Sequence, residues 1–153
     1  MLYLFSMRIR MTALITALLM LFFTGLSIAS ESRADSIVGI WNTAKGEANI
    51  QIYKCGAYYC GRIVWTKGKP GTDDKNPDPA LRGRSVIGMQ MMKSFAFDGK
   101  DKWTDGRIYD SDNGKTYSAL ITLDSPDKLR LRGYILFSVL GRSTVWTRAD
   151  RKL

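Results

Sequence analysis

The sequence predicts an all-β domain, folded as an eight-stranded antiparallel barrel, after an N-terminal signal helix. Three observations point to this fold: short runs of alternating apolar residues, tight turns between them, and an apolar leader with a basic start. An open antiparallel sheet would expose its two edges, whereas closing the sheet into a barrel removes them. A sandwich of two sheets is the alternative arrangement of the same strands.

The chain begins with the pattern of a secretory signal peptide. Two arginines precede an apolar run over residues 11–28, and small residues follow at Ala29 and Ala34. We expect cleavage after Ala34, with Ala29 as the second choice, so that residues 1–34 are the signal peptide and 35–153 the domain. The expected location is periplasmic or secreted. An uncleaved membrane anchor is the other interpretation of the apolar run.

Eight segments of the domain have the composition and alternation of β-strands. All but one of the connections between them are short, as antiparallel neighbours allow. The predicted strands are residues 37–42, 47–54, 59–66, 86–97, 103–110, 115–123, 128–135 and 143–148.

The hairpin around Asn113-Gly114 is the best-defined part of this pattern. An Asn-Gly pair between two strand-like runs is the strongest short-range hairpin signal in a sequence. A two-residue turn at this point pairs Ser111 with Thr116. Because side chains alternate along a strand, the apolar residues of both strands then share one face.

The two cysteines predict a structural disulfide between Cys55 and Cys60. They flank four residues at the turn of a short hairpin, and an oxidising compartment favours the bond. Closing so short a loop stabilises the fold by about 2 kcal/mol. Zinc would require further ligands, but the chain has no histidine and no third cysteine. A redox pair usually has two intervening residues. We expect no metal and no cofactor.

The long connection over residues 67–84 breaks the pattern of short turns. It holds three of the four prolines and many charges. Long loops in compact domains are usually functional or mobile. Asp78 followed by Pro79 predicts the start of one helical turn within it. The loop is interpreted as a lid over the barrel, with a solvated connection as the alternative.

The inward positions of the predicted strands are the candidate ligand-binding residues. They are mostly apolar, with one carboxylate beside a tyrosine near one mouth of the barrel. An eight-stranded barrel has room for packed side chains or for one small ligand, so a cavity and a filled core both remain open. The candidates are Ile50, Ile52, Met89, Met91, Ile108, Asp110, Tyr117, Ile121, Leu129 and Leu131.

A catalytic role has little support in the sequence. Histidine, the commonest general base, is absent. Carboxylates at Asp73, Asp74, Asp110 and Asp112 could act in glycan cleavage, but aspartate is expected in turns for backbone reasons alone. We therefore expect a protein that is not an enzyme.

Calcium and nucleic acid are also not expected as partners. The segment 110–114 resembles a calcium loop, but its fifth position is glycine and its twelfth is Ile121 instead of glutamate. A basic face with tyrosines between the cations is typical of single-strand binders and equally of solvated strands. Its predicted members are Lys115, Lys128, Arg130 and Arg132, with Tyr109 and Tyr134. Export makes nucleic acid an improbable ligand.

Both ends of the domain resemble the lipocalin-like pattern. In that pattern a Gly-x-Trp on the first strand, here Gly39-Ile40-Trp41, packs beneath an arginine from the last strand, here in Trp146-Thr147-Arg148. The resemblance implies that Arg148 stacks on Trp41 and closes the floor of the barrel. Such a cation–π contact contributes about 1 kcal/mol.

Nearly the whole domain also resembles the bacterial domain-of-unknown-function family numbered 2147. The resemblance implies a lipocalin-like (calycin) barrel in the periplasm or outside the cell, with no established activity. The motifs that carry it are residues 39–41, Cys55 with 60–61, 76–82 with Gly88, 106–110, 114–117 and 131–134.

Two functions follow as hypotheses. The first is binding of a small apolar or amphipathic ligand in the cell envelope. The second is interaction with the envelope, a host surface or a protein partner through the basic exterior, since the chain has a formal net charge of +9. The alternative explanation is that the positive charge only keeps the domain soluble.

Overall fold

The computed structural model describes residues 33–149, in which eight antiparallel strands form a closed barrel in sequence order. β1 pairs with β8 through Trp41 and Arg148, so the sheet has no free edge. The predicted barrel is confirmed. The strands are β1 (Gly39–Asn42), β2 (Ala48–Cys55), β3 (Tyr58–Thr66), β4 (Gln90–Phe97), β5 (Lys102–Asp110), β6 (Lys115–Ser125), β7 (Lys128–Tyr134) and β8 (Arg142–Arg148).

Three short 3₁₀ helices accompany the strands, at Asp35–Ile37, Pro79–Leu81 and Ser138–Leu140. From Asp35 to the end of the described residues, the chain forms one compact unit. The predicted signal segment up to residue 32 lies outside the described residues. Among residues 33–149, no helix is long and apolar enough to cross a bilayer.

The barrel interior is a packed core of large apolar side chains. Alternation along each strand directs every second residue inward, and the inward residues are almost fully buried. Trp41, Phe95, Trp103, Ile121 and Leu129 each have 0 % of their surface exposed. Side chains buried to this degree exclude water from the core that they form.

Two inward glycines fit this core around large partners. A Cβ at Gly61 would lie 2.7 Å from the Sδ of Met92, and a Cβ at Gly106 would overlap the ring of Phe95. Each glycine therefore provides the volume that the neighbouring side chain fills, as close packing requires.

The barrel has one closed end, near the start of β1. Ile37 is fully buried there, and its carbonyl accepts a 2.8 Å hydrogen bond from Trp41 Nε1. The first strand was predicted from residue 37, but the chain forms a 3₁₀ turn at Asp35–Ile37 and pairs only from Gly39. This turn is what brings Ile37 into the core as a plug.

The central hairpin differs from the predicted one in its turn. Asp110 pairs with Lys115 and Tyr109 with Thr116, so the turn contains the four residues 111–114. Its closing hydrogen bond runs from the N–H of Gly114 to the carbonyl of Asp110, at 2.8 Å. The predicted register was therefore wrong by two residues. A shift of two keeps every side chain on its predicted face.

The strand predicted over residues 86–97 is shorter than expected. β4 starts at Gln90, and the chain turns between Val86 and Met89 through a 3.1 Å backbone hydrogen bond. Gly88 makes this turn possible because its φ is +82°. Backbone bonds of Gly88 and Met89 to Ile63 still attach the turn to β3.

Candidate functional site

The 67–84 loop, which was predicted as a lid over the barrel, is anchored on the outer wall through Asp73. Ile108 is the inward partner of the buried Met92, so the adjacent Tyr109 points outward. The Tyr109 hydroxyl donates a 2.6 Å hydrogen bond to Asp73 of the loop. The outer wall of β4 and β5 thus becomes the floor of a site that the loop completes.

A second contact fixes the loop against the β5–β6 turn. Lys75 Nζ donates a 2.6 Å hydrogen bond to the carbonyl of Asp112. The backbone of Lys75 also packs against Gly114, where any Cβ would overlap the Lys75 carbonyl. Gly114 therefore serves both the turn, with a φ of +70°, and the docking of the loop.

Asp73 is the centre of the loop and is fully buried. Its Oδ1 accepts the bond from Tyr109, and its Oδ2 accepts bonds from Asn76 Nδ2 at 2.7 Å and from Arg84 Nη2 at 2.9 Å and Nε at 3.1 Å. A buried carboxylate needs such partners because it has lost its water. The four bonds satisfy it and order the loop around it.

These contacts change the proton affinity of both partners. Burial by itself would raise the pKa of Asp73, but hydrogen bonds from Tyr109, Asn76 and Arg84, with the positive charge of Arg84, lower that pKa below its ordinary value. Burial, followed by the hydrogen bond to Asp73, raises the pKa of Tyr109 to about 12. Asp73 therefore stays ionised and Tyr109 stays neutral at physiological pH.

The remaining loop contacts hold its polar groups at the edge of the site. The predicted helical turn is confirmed at Pro79–Leu81, where Asp78 caps the N–H of Ala80. Arg82 Nε donates to the carbonyl of Asn76 at 2.7 Å. Asn76 is itself buried, so its position does not depend on solvent.

Between the loop and the barrel wall lies an open groove with a volume of about 420 Å³. Cationic and amide side chains dominate its lining, and two apolar side chains accompany them. The lining residues are Asn76, Pro77, Arg84, Gln90, Met91, Lys93, Arg107, Tyr109 and Thr116.

Two cations of the groove face each other across neighbouring strands. Lys93 on β4 is the direct cross-strand partner of Arg107 on β5, and both are exposed. Neither has a carboxylate partner in the part of the chain that the structure describes. Like charges directly opposite each other destabilise a sheet unless an anion separates them. The third cation, Arg84, is neutralised by Asp73.

The structure places five of the ten predicted ligand-binding residues in the packed core. Ile50, Ile52, Ile121, Leu129 and Leu131 are at most 3 % exposed. Side chains that line an open, ligand-sized cavity would be accessible to water. At these positions, a filled core therefore accounts better for the burial than a cavity does.

The other predicted residues lie at the wall or the rim. Met91 was predicted to face the interior but lies on the outer groove, because its neighbour Met92 is the inward residue. Met89 is buried in the turn before β4, and Ile108 and Tyr117 are half-buried.

Asp110 lies at the rim of the barrel. Its carboxylate accepts hydrogen bonds from the Asp112 N–H at 2.9 Å and from Asn113 Nδ2 at 2.7 Å. Asn113 Nδ2 also donates to the Tyr117 hydroxyl at 3.1 Å, which connects Asp110 to Tyr117. The Asp110 carboxylate is thus committed to the turn.

Arg148 and Trp41 make the contact that the resemblance implies. The Cζ of Arg148 lies 4.3 Å from the ring centroid of Trp41. The guanidinium also donates to the carbonyls of Ser36 at 2.8 Å and Val38 at 3.1 Å. The arginine therefore fastens the end of β8 to the segment before β1 and closes the floor.

The predicted disulfide between Cys55 and Cys60 is confirmed, with the two Cα atoms 5.9 Å apart. Within residues 33–149, no group of three or more histidine, cysteine, aspartate or glutamate side chains is placed to hold a metal ion.

The groove was not predicted from the sequence. Asp73 was one of several candidate turn carboxylates, and Lys93, Arg107 and Tyr109 were not among the candidate binding residues. The available signal was alternation: once Ile108 is assigned inward, Arg107 and Tyr109 must both face outward. The docking of the loop onto them has no counterpart in local sequence.

Comparison with solved structures finds the same architecture in another protein. One match is entitled "Protein HP1028 from the human pathogen Helicobacter pylori belongs to the lipocalin family", with a TM-score of 0.70 and 22 % sequence identity. The alignment covers 75 % of this chain and 84 % of that chain. The TM-score shows that the two proteins share a lipocalin-like fold, and at this sequence identity the comparison shows the fold alone.

None of the curated proteins compared with this sequence matches it. A family model does match, over residues 39–148, which includes all eight strands and the groove. The chain belongs to the bacterial family described as "Uncharacterized protein conserved in bacteria (DUF2147)".

Proposed function

We propose that this protein is an exported binding protein of the cell envelope, and that it holds a small anionic amphipathic ligand in the groove between the 67–84 loop and the barrel wall. The observation that carries the proposal is the uncompensated cation pair Lys93 and Arg107 on the groove floor. A bound anion would convert a repulsive cross-strand pair into two favourable contacts.

The rest of the lining matches the same ligand. Gln90 and Thr116 add hydrogen-bond donors to the same lining, and one amide N–H of Gln90 also donates to Cys60 Sγ at 3.4 Å. Met91 and Pro77 add an apolar surface, and methionine adapts its shape to different partners. A volume of about 420 Å³ lies within the range of small-molecule sites. An acidic head with a short apolar tail therefore fits both the charge and the size.

A binding role agrees better with this site than catalysis does. Asp73 is the buried carboxylate of the described chain, and four hydrogen bonds keep it ionised. A general base needs a pKa near the working pH and a free lone pair aimed at the substrate. Asp73 has neither, so its role is to position the loop.

Two further observations support the proposal: the lipocalin-like fold and the sequence features typical of exported proteins. The related architecture is that of lipocalins, whose eight-stranded barrels hold small ligands in the interior. The fold therefore supports a binding role in general, whereas the location in the outer groove rests on the groove residues themselves. This support is an analogy of fold and does not identify a ligand. The basic start, the apolar run and the disulfide are all typical of a protein that works outside the cytoplasm.

The test compares binding of dodecyl phosphate with that of dodecyl maltoside, each below its critical micelle concentration, by titration calorimetry. We expect the phosphate to bind the unsubstituted protein more tightly than the maltoside. The K93Q/R107Q double variant should lose at least about tenfold in affinity for the phosphate, because two charge-assisted contacts are removed. The K100Q/K102Q variant removes the same charge from the β4–β5 turn and should bind normally.

Equal binding of the two detergents, or equal loss in both double variants, would exclude a specific anion site in the groove. Native mass spectrometry on protein purified from its own cells adds an independent observation. A mass that is lost on denaturation and absent from K93Q/R107Q would provide the natural ligand.

A further inference from the structure

The connection between β7 and β8 exposes an unusual amount of apolar surface. Ile135, Leu136, Phe137, Val139 and Leu140, here called the apolar loop, are 68–82 % exposed. Isolated apolar residues are normal on a protein surface, but a contiguous group of five large ones marks an interaction site.

The loop is held in place by specific contacts. Arg132 Nη2 donates a 2.8 Å hydrogen bond to the carbonyl of Val139, and its Nη1 donates to Ser143 Oγ at 2.9 Å. The N–H of Leu140 bonds to the carbonyl of Phe137 at 3.1 Å, within a 3₁₀ turn. The apolar side chains are therefore presented to solvent by an ordered backbone.

The stem of the loop is narrow. A Cβ at Gly141 would lie 2.5 Å from the carbonyl of Gly133 and 3.0 Å from the Cβ of Tyr134. The two strands thus approach each other closely at the base, and the apolar residues project beyond it as a compact tip.

The charged residues nearest to the loop on the two strands that carry it are both basic. Arg132 lies near the end of β7 and Arg142 at the start of β8, and neither strand contains an acidic residue. Arg142, at the base of the loop, is exposed and has no carboxylate partner among the described residues. Cations beside an exposed apolar tip complement an anionic lipid surface, where the tip enters the acyl boundary and the cations meet the headgroups.

We propose that the apolar loop docks the protein onto the surface of an anionic lipid bilayer, with Leu136, Phe137 and Leu140 inserted and Arg142 at the headgroups. This docking surface lies on a different connection from the groove and goes beyond ligand binding. It gives a carrier of amphipathic molecules a way to meet the membrane that contains them.

The experiment measures co-sedimentation with vesicles of neutral phosphatidylcholine, alone or with phosphatidylglycerol at about one third of the lipid. We expect binding to the anionic vesicles, and the L136Q/L140Q variant should partition at least about tenfold less, since insertion of two leucines is lost. L81Q removes an exposed leucine of the 67–84 loop and should bind normally. All variants carry the same N-terminal segment, so the difference reports the loop alone.

A local probe completes the test. In the F137W variant, tryptophan emission should shift to the blue and be quenched by brominated acyl chains when anionic vesicles are added. Unchanged partitioning of L136Q/L140Q, or a tryptophan that stays exposed, would overturn the proposal. So would self-association of the protein that L136Q/L140Q abolishes without any vesicle binding, since a second copy would then cover the loop. Dodecyl phosphate binding in L136Q/L140Q should be unchanged, which separates this proposal from that of the groove.

Discussion

The hydroxyl of Tyr109 on β5 donates a 2.6 Å hydrogen bond to the buried carboxylate of Asp73, and this contact joins the 67–84 loop to the barrel wall. The two residues are 36 positions apart in the chain. Removing the hydroxyl leaves the loop attached mainly through Lys75 and Asp112. The strength of this attachment determines whether the groove exists in solution.

Tyr109→Phe should destabilise the protein by about 1–3 kcal/mol, because a buried carboxylate loses one of its four hydrogen bonds. The measurement is urea unfolding together with the rate of proteolysis within residues 67–84. Tyr58→Phe is the control, since the Tyr58 ring is 48 % exposed. Equal behaviour of the two variants would show that the loop is held by its other contacts.

Loop docking should weaken in acid. A carboxylate whose pKa is lowered by folding contributes stability that is complete above the unfolded pKa and is lost as the pH falls through the folded pKa. For Asp73 the loss begins below about pH 4 and increases downward. Hydrogen exchange of the loop amides against pH measures it. Asp73→Asn should remove this pH dependence, whereas Asp112→Asn, in the turn that the loop touches, should keep it.

The loss of stability at alkaline pH depends on Tyr109. Folding raises its pKa to about 12, so its contribution is complete below the unfolded pKa and is lost as the pH rises from about 10 towards 12. Ultraviolet titration of phenolate should show one tyrosine that ionises late, and Tyr109→Phe should remove that step. A late step that persists in the variant would assign it to another tyrosine.

Arg148→Lys should lower the free energy of unfolding by about 1–3 kcal/mol, because a lysine cannot bond both carbonyls and stack on the indole at once. The lost contacts are those to Ser36, Val38 and Trp41. Urea unfolding followed by tryptophan fluorescence measures the change. Arg142→Lys, on an exposed arginine of the same strand, should alter stability by less than about 0.5 kcal/mol.

Gly106→Ala should cost about 1–3 kcal/mol, since the added methyl group would overlap the ring of Phe95 inside the barrel. Gly71→Ala is the matched control, because no atom lies within 4 Å of its added Cβ and its φ is not positive. Thermal unfolding of both variants measures the difference. Equal melting temperatures would mean that the core can rearrange around Phe95.

The fold could be predicted because the patterns that specify its strands and turns lie within short segments of the sequence. Alternation placed Ile50, Leu129 and Leu131 inward, and these residues are buried in the structure. The Asn113-Gly114 pair was enough to predict the hairpin, although the predicted strand register was wrong by two residues. The pairing is sensitive to turn length, which the flanking residues do not determine.

The site could not be predicted in the same way. Its floor depends on whether Met91 or Met92 faces inward, and a run of consecutive apolar residues carries no alternation to decide this. Its loop is positioned by the buried Asp73, whose partners come from the loop itself and from β5. Sequence separations of this size leave no periodic signal. The exposure of the apolar loop was not predicted. The predicted strand ended at residue 135, and the sequence of residues 136–140 does not determine whether an apolar connection packs inward or faces solvent.

The fastening of Arg148 to the carbonyls of Ser36 and Val38 also sets an order of events during biosynthesis. These bonds span 112 and 110 positions, almost the entire domain. The barrel therefore cannot close until the final strand is available to pair with β1, and contacts between such distant segments form slowly. A chain that is incomplete at its C-terminus keeps its sheet edges open, so the last strand to be synthesised controls when the protein becomes safe from aggregation.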